Sequence, residues 1–127
     1  MNAVLLDTHS WAWSLTADPR LSAGARSAIA AARAVTVSPV SFFEIAQKVR
    51  VGKWPEMATY VDRLVALLNQ QGGQAAPLEP AICLSAGLMR WSHRDPFDRL
   101  LAATALYYGY PLVSADIAFD GTVPRIW

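Results

Sequence analysis

His93–Ser114 reads HRDPFDRLLAATALYYGYPLVS, a helix, a stop and a strand in succession. Asp95-Pro96 predicts the start: proline disfavours helix at the residue before it and suits the first helical position. Asp95 is then the N-cap, its carboxylate accepting an amide of the first turn. The apolar run Leu100-Leu101-Ala102-Ala103 carries the helix to Tyr108, and Gly109 stops it. Pro111–Ser114 is a short apolar strand. A helix leading into a buried strand is half of a parallel α/β unit, and the other half recurs elsewhere in the chain.

Ala3–Leu6 is an apolar run ending at Asp7, as a buried parallel strand does, and Thr8–Leu15 reads as helix. Ser22–Arg33 is Ala-rich and helical, with Ser22 as N-cap. Val35–Val37 is a second strand. Ser38-Pro39 opens a helix to about Val51, closed by Gly52. Glu56–Gln71 reads as one helix ended by Gly72-Gly73, followed by a weak strand at Gln74–Leu78. A helix over Pro80–Met89 comes next. Val123–Trp127 is a last strand, expected at a sheet edge because it holds Pro124. Strands alternating with helices predict an α/β fold with a parallel sheet and right-handed crossovers. With no repeat, low-complexity stretch or linker, residues 1–127 form one expected domain.

Of the 127 residues, 54% are hydrophobic and 17% charged, which excludes disorder and suggests that some apolar surface meets a partner. A net charge of +1 gives no basic field, so any phosphate binding must come from local placement. Cys83 stands alone in an apolar context, which predicts a buried, inert thiol and suits a reducing compartment. The N-terminus MNAVLLDTH lacks the features of a signal peptide, and no apolar run approaches the ~18 residues of a membrane span. A cytoplasmic protein without membrane contact is expected.

Four acids hold comparable positions in this frame. Asp7 directly follows the first strand, and Asp116 lies two residues past PLVS. Glu44 lies in the second turn of the helix after the second strand, and Asp98 in the first turn of the helix opened by Asp95. Crossover helices run antiparallel to the strands, so all four fall on the sheet edge where such folds bind ligands. Carboxylates crowded together raise one another's pKa, and a divalent cation removes that penalty. Oxygen ligands without a His/Cys cluster select a hard ion, Mg²⁺ or Mn²⁺, and such an ion suits phosphodiester hydrolysis.

Each acid also has a plain structural reading. Asp7 can cap the next helix, Glu44 can pair with Lys48 four residues on, Asp98 can favour the helix dipole, and Asp116 can be a turn residue. Their joint arrival at one edge is what favours a metal site.

LLDTHSWAW (5–13), SFFEIAQKVRVGKW (41–54), HRDPFDRLLAATA (93–105) and LVSAD (112–116), in this order and spacing, resemble the PIN-domain ribonucleases. Within that family they resemble the VapC toxins of bacterial type II toxin–antitoxin pairs. The resemblance spans essentially the whole chain and implies a PIN-like three-layer α/β/α fold with a central parallel sheet of four to five strands. It implies an acidic quartet of Asp7, Glu44, Asp98 and Asp116 acting as catalytic and metal-binding residues with Mg²⁺ or Mn²⁺, and an RNA substrate. It also implies a homodimer and a VapB-like antitoxin whose tail occupies a groove near the acids.

Around the quartet, Ser114 either holds a metal-bound water or caps its turn. Arg94, Arg99 and Lys48 are candidate substrate contacts, with surface charge or pairing to the acids as the alternative, and His93 stands in the same position. His9 reads as a packed histidine and Asp120 as a turn residue beside Gly121. Trp11 or Trp54 is the expected antitoxin contact. The competing function is a non-catalytic acid-pocket or protein-interaction domain of the same fold. A phosphoacceptor module fits poorly, because Thr8-His9 follow Asp7 and no lysine occurs after Lys53.

Overall fold

The central strand β1 (Ala3–Leu6) is buried along its whole length, so both faces of the sheet are covered. In the computed structural model, which describes residues 3–127, the elements that follow are α1 (Thr8–Leu15), α2 (Ala23–Ala31), β2 (Ala34–Val37), α3 (Pro39–Arg50), α4 (Leu64–Gln70), β3 (Gln74–Ala75), α5 (Pro80–Leu88), α6 (Pro96–Tyr108), β4 (Leu112–Val113) and β5 (Arg125–Ile126). Met1 and Asn2, part of the segment read as lacking a leader, lie outside the described residues.

The sheet order is β3-β2-β1-β4-β5, and every pairing is parallel. The five strands meet the upper end of the expected range, and β5 lies at an edge as expected, though it is confined to Arg125–Ile126 with Pro124 just before it. Alternation along β1 divides the core. Val4 and Leu6 join Val37 and Val113 beneath Trp11, Ala25, Ile45 and Leu64, on the side of α1 to α4. Leu5 and Leu112 face Ala102 and Ala105 of α6, and Ile82 and Ala86 of α5 pack on Ala103 behind them. Three layers result.

The expected caps form. Ser22, Ser38 and Asp95 each accept a first-turn amide with the side chain, and Gly109 ends α6 at φ 69°, a left-handed conformation that favours glycine. Gly24 is required for another reason: a Cβ there would lie 2.7 Å from the Trp127 carbonyl oxygen, where α2 meets β5.

Four expectations need correction. The helix over 56–71 breaks into 3₁₀ turns at Pro55–Met57 and Val61–Arg63 before α4. Before Leu64 only Met57 is buried in that stretch, so no continuous apolar stripe holds a longer helix by packing. The strand at 74–78 stops at Ala75, just before Pro77, which has no amide to continue a ladder. Cys83 is exposed, because α5 buries only Ile82 and Ala86. Trp11 is fully buried and donates its indole N–H to Gln71 Oε1 at 3.0 Å, so it cannot meet an antitoxin.

Candidate active site

The C-terminal ends of β1 and β4 and the N-terminal turns of α1, α3 and α6 meet along one edge. Asp7, Glu44, Asp98 and Asp116 all line a single open cleft of about 480 Å³ there. Asp7 leaves β1 with its amide donated to the Val113 carbonyl at 3.1 Å, and its Oδ1 accepts the Ser10 amide at 2.8 Å. Glu44 is 7% exposed. Its Oε1 accepts the Thr8 hydroxyl at 2.6 Å and its Oε2 accepts Lys48 Nζ at 2.7 Å. Ser41 Oγ lies 2.8 Å from Thr8 Oγ1 and extends that network.

Across the cleft, Asp98 Oδ2 lies 2.7 Å from His93 Nε2. Asp116 caps a 3₁₀ turn by accepting the Ala118 amide at 2.9 Å, and Ser114 Oγ accepts the Asp116 amide at 3.0 Å. Asp95 accepts the Phe97 and Asp98 amides at 2.8 and 3.3 Å. The structural readings of Asp7, Glu44 and Asp116 therefore hold together with their convergence: the same carboxylates that cap or pair also face the cleft. Asp98 departs from the pattern, because its carboxylate turns to His93.

The electrostatics differ from acid to acid. Burial pushes Asp7 above the usual carboxylate range, against hydrogen bonding from Ser114 and Ser10. Burial likewise raises Asp98, opposed by the hydrogen bond from His93 and reinforced by the charges of Asp95 and Asp116. Neither has a lysine or arginine partner among the described residues, whereas Glu44 has Lys48. Excess negative charge is thus concentrated on Asp7, Asp98 and Asp116. A divalent cation fits that donor set, since it would offset the penalty that raises these acids.

His93 changes the composition of the set. Its ring nitrogen and carboxylate oxygens of Asp98 and Asp116 lie within 4.8 Å of one another, the one such group among the described residues. Asp7 and Glu44 line the same cleft but stand outside that tight group. Beside the expected carboxylate oxygens, a nitrogen donor therefore lies within reach of the same cleft. In the sequence, His93 sits five residues before Asp98 on a non-helical lead-in, and no periodicity links the two. Trp91, 4.8 Å away between ring centroids, and Phe119, at 6.5 Å, hold the imidazole in place.

The other candidates divide. Arg99 is not free for a substrate. Its guanidinium donates to the carbonyls of Ala86, Met89, Trp91 and His93 at 2.6–2.9 Å, which ties the α5–α6 connection together. Arg94 lines a shallow apolar depression beside Cys83 and Pro96, not the acid cleft. Lys48 does line the cleft, paired with Glu44. Asp120 pairs with Arg125 at 2.7 Å, away from the cleft. His9, expected to be packed, is instead exposed and lines the cleft while stacked on Trp54 at 4.6 Å, and desolvation lowers its pKa. Arg20 is the basic residue that sequence reasoning missed. It lines the cleft, held by Asp18 at 2.8 Å and set 5.1 Å from the Trp13 ring centre. Only the turn after α1 brings it there.

Residues 4–122 match the family model described as PIN domain. Over 119 residues the chain is 30% identical to Ribonuclease VapC22 of Mycobacterium tuberculosis, covering 91% of this chain and 88% of that protein. Its backbone also resembles a chain in the crystal structure of VapBC2 from Rickettsia felis bound to a DNA fragment from their promoter. The TM-score is 0.65 with 12% identity, over 97% of this chain and 96% of that one.

Proposed function

Because this chain belongs to the PIN-domain family, we propose that it is a metal-dependent endoribonuclease and the toxin half of a VapBC-type pair. One observation carries the reading: four acids from distant parts of the sequence line one cleft at the C-terminal edge of the sheet. The name of the mycobacterial relative points the same way.

In this reading Asp7, Glu44, Asp98 and Asp116 would hold Mg²⁺ or Mn²⁺, with His93 beside Asp98. When bound, the ion supplies positive charge for a phosphodiester and lowers the pKa of water. The chain's own residues do the rest. Thr8 and Lys48 fix both oxygens of Glu44, Asp7 is held by the first turn of α1, and Ser114 shapes the turn that presents Asp116. Lys48 and Arg20 place positive charge beside the acids, where an incoming RNA phosphate would otherwise be repelled.

Residues 1–127 are proposed as one domain working as a homodimer with a VapB-like antitoxin in the cytoplasm. Leu84 and Leu88 on α5 are 68% and 80% exposed, which supports a protein partner on that face. Trp54, half-buried at the rim of the acids, remains the candidate antitoxin contact. Among the described residues no helix is long and apolar enough to cross a membrane.

The purified protein should cut single-stranded or looped RNA with Mg²⁺ or Mn²⁺ and stop in EDTA. Full activity in EDTA would overturn the metal role, and dependence on zinc alone would contradict a hard-ion site.

A further inference from the structure

A second cavity of about 260 Å³ adjoins the acid cleft, and the two share His9, Trp13, Arg20 and Lys48 as lining. Its chemistry is the reverse of its neighbour's. Three cations line it beside one acid, Glu56: Arg20, which pairs with Asp18 at 2.8 Å, Lys48, which pairs with Glu44 at 2.7 Å, and Lys53, whose side chain is unpaired among the described residues, while three rings, His9, Trp13 and Trp54, form its wall. The rings are already ordered. His9 stacks on Trp54 at 4.6 Å with 26° between planes, and Trp13 tilts toward His9 at 5.8 Å. Two of the cations lie near ring centres, Arg20 at 5.1 Å from Trp13 and Lys48 at 5.7 Å from Trp54.

Rings and cations combined in one groove are what a single-stranded nucleic acid requires: stacking surfaces for bases and positive charge for the backbone. We propose that this cavity is a nucleotide subsite for RNA, taking one nucleotide adjacent to the scissile phosphate. Its base lies against the His9, Trp13 and Trp54 rings and its phosphate beside Arg20, Lys48 and Lys53. The inference rests on the nuclease reading for its placement, but binding here needs no cleavage.

The charge asymmetry explains the geometry. An RNA strand crossing acids alone would be repelled. A basic and aromatic cavity one nucleotide away anchors the strand while the acid cleft addresses one phosphate. Every base has a ring face, so this subsite selects single strands over duplexes without reading a sequence. Lys53 is exposed; its amide donates to the Lys48 carbonyl at 2.8 Å, but its ammonium makes no hydrogen bond or ion pair among the described residues, so its charge is available to a ligand. Trp54 also touches the core, and a conservative change there separates stacking from folding.

The test is binding of a fluorescein-labelled single-stranded RNA of mixed sequence, followed by anisotropy in EDTA at low salt. Its duplex form is the control. Trp54→Ala should weaken single-strand binding about tenfold, Trp54→Phe should restore most of it, and Lys53→Glu should reduce the slope of log affinity against log salt by about 0.7. With Mg²⁺ or Mn²⁺, the same variants should raise KM more than they lower kcat. Binding that survives where no metal restores cleavage would count against the nuclease reading and leave the subsite standing. Normal cleavage with affinity, salt slope and KM unmoved by Trp54→Ala and Lys53→Glu overturns the subsite. So does equal affinity for duplex and single strand, and so does loss of binding only to a partner protein.

Discussion

On one wall of the cleft, Glu44 meets Lys48 at 2.7 Å and Thr8 at 2.6 Å, and Thr8 lies against Ser41. On the other, Asp98 is set among the charges of Asp95 and Asp116 with a single histidine at 2.7 Å. The first wall carries its own counter-charge on one helix, four residues apart. The second assembles acids from a loop, a helix N-terminus and a strand end, and pairs none of them with a lysine or arginine among the described residues. A polar network that satisfies itself fixes geometry, whereas a network left with excess charge is shaped for an external partner. Asp7 stands at the junction, held by α1 like the first wall and raised by burial like Asp98.

The sharpest way to break this comparison is to remove the unpaired wall's central acid. Asp98→Ala should lower RNA cleavage on the order of a thousandfold while the circular dichroism spectrum stays folded. Retained activity would move the chemistry to the paired wall.

Arg99 tests what holds the second wall up. Arg99→Ala leaves four carbonyls without their donor, among them that of His93, and should cost about 3 kcal/mol in a denaturant melt. Stability at the level of the parent would mean the loop carrying His93 is anchored some other way.

The charge difference itself predicts a response to pH and metal. Burial raises Asp7 and Asp98, so the folded protein retains protons that the unfolded chain has released. The metal-free protein should therefore lose stability as pH climbs from about 4 through the raised values. Saturating Mn²⁺ should offset the loss, by about 2.7 kcal/mol at 100 times its dissociation constant. Thermal melts across pH with and without Mn²⁺ read both effects, and a metal-free stability that rises over that range contradicts the assignment.

The smallest effect separates the two acids of HRDPFD. Asp95 accepts two first-turn amides, so Asp95→Ala should cost about 1 kcal/mol and retain most of the cleavage rate. A stable but inactive Asp95→Ala protein would exchange the roles of Asp95 and Asp98.

Much of this candidate site is legible in the sequence, for a definite reason. The acids stand at strand ends and helix starts, which local chemistry announces: Ser38-Pro39 and Asp95-Pro96 open helices, and Gly109 closes one. The contacts of Arg99 and His93 were not legible. Both depend on how the non-helical residues 89–95 fold back over α6, and no periodicity governs a loop. Trp11 and Cys83 were misjudged on the same account, since apolar context does not say which way a helix face turns once neighbours cover it.

By itself, the sequence determined the α/β alternation, the caps and the edge on which the acids lie, because those follow from backbone preferences acting over a few residues. Only the tertiary structure decided that the Glu44–Lys48 pair, already offered by its four-residue spacing, faces the same cleft as an Asp98 that is left to His93. It alone also placed Arg20 in the cleft and made Arg99 a structural clasp, because each of these depends on where distant side chains meet, and long-range packing sets those distances.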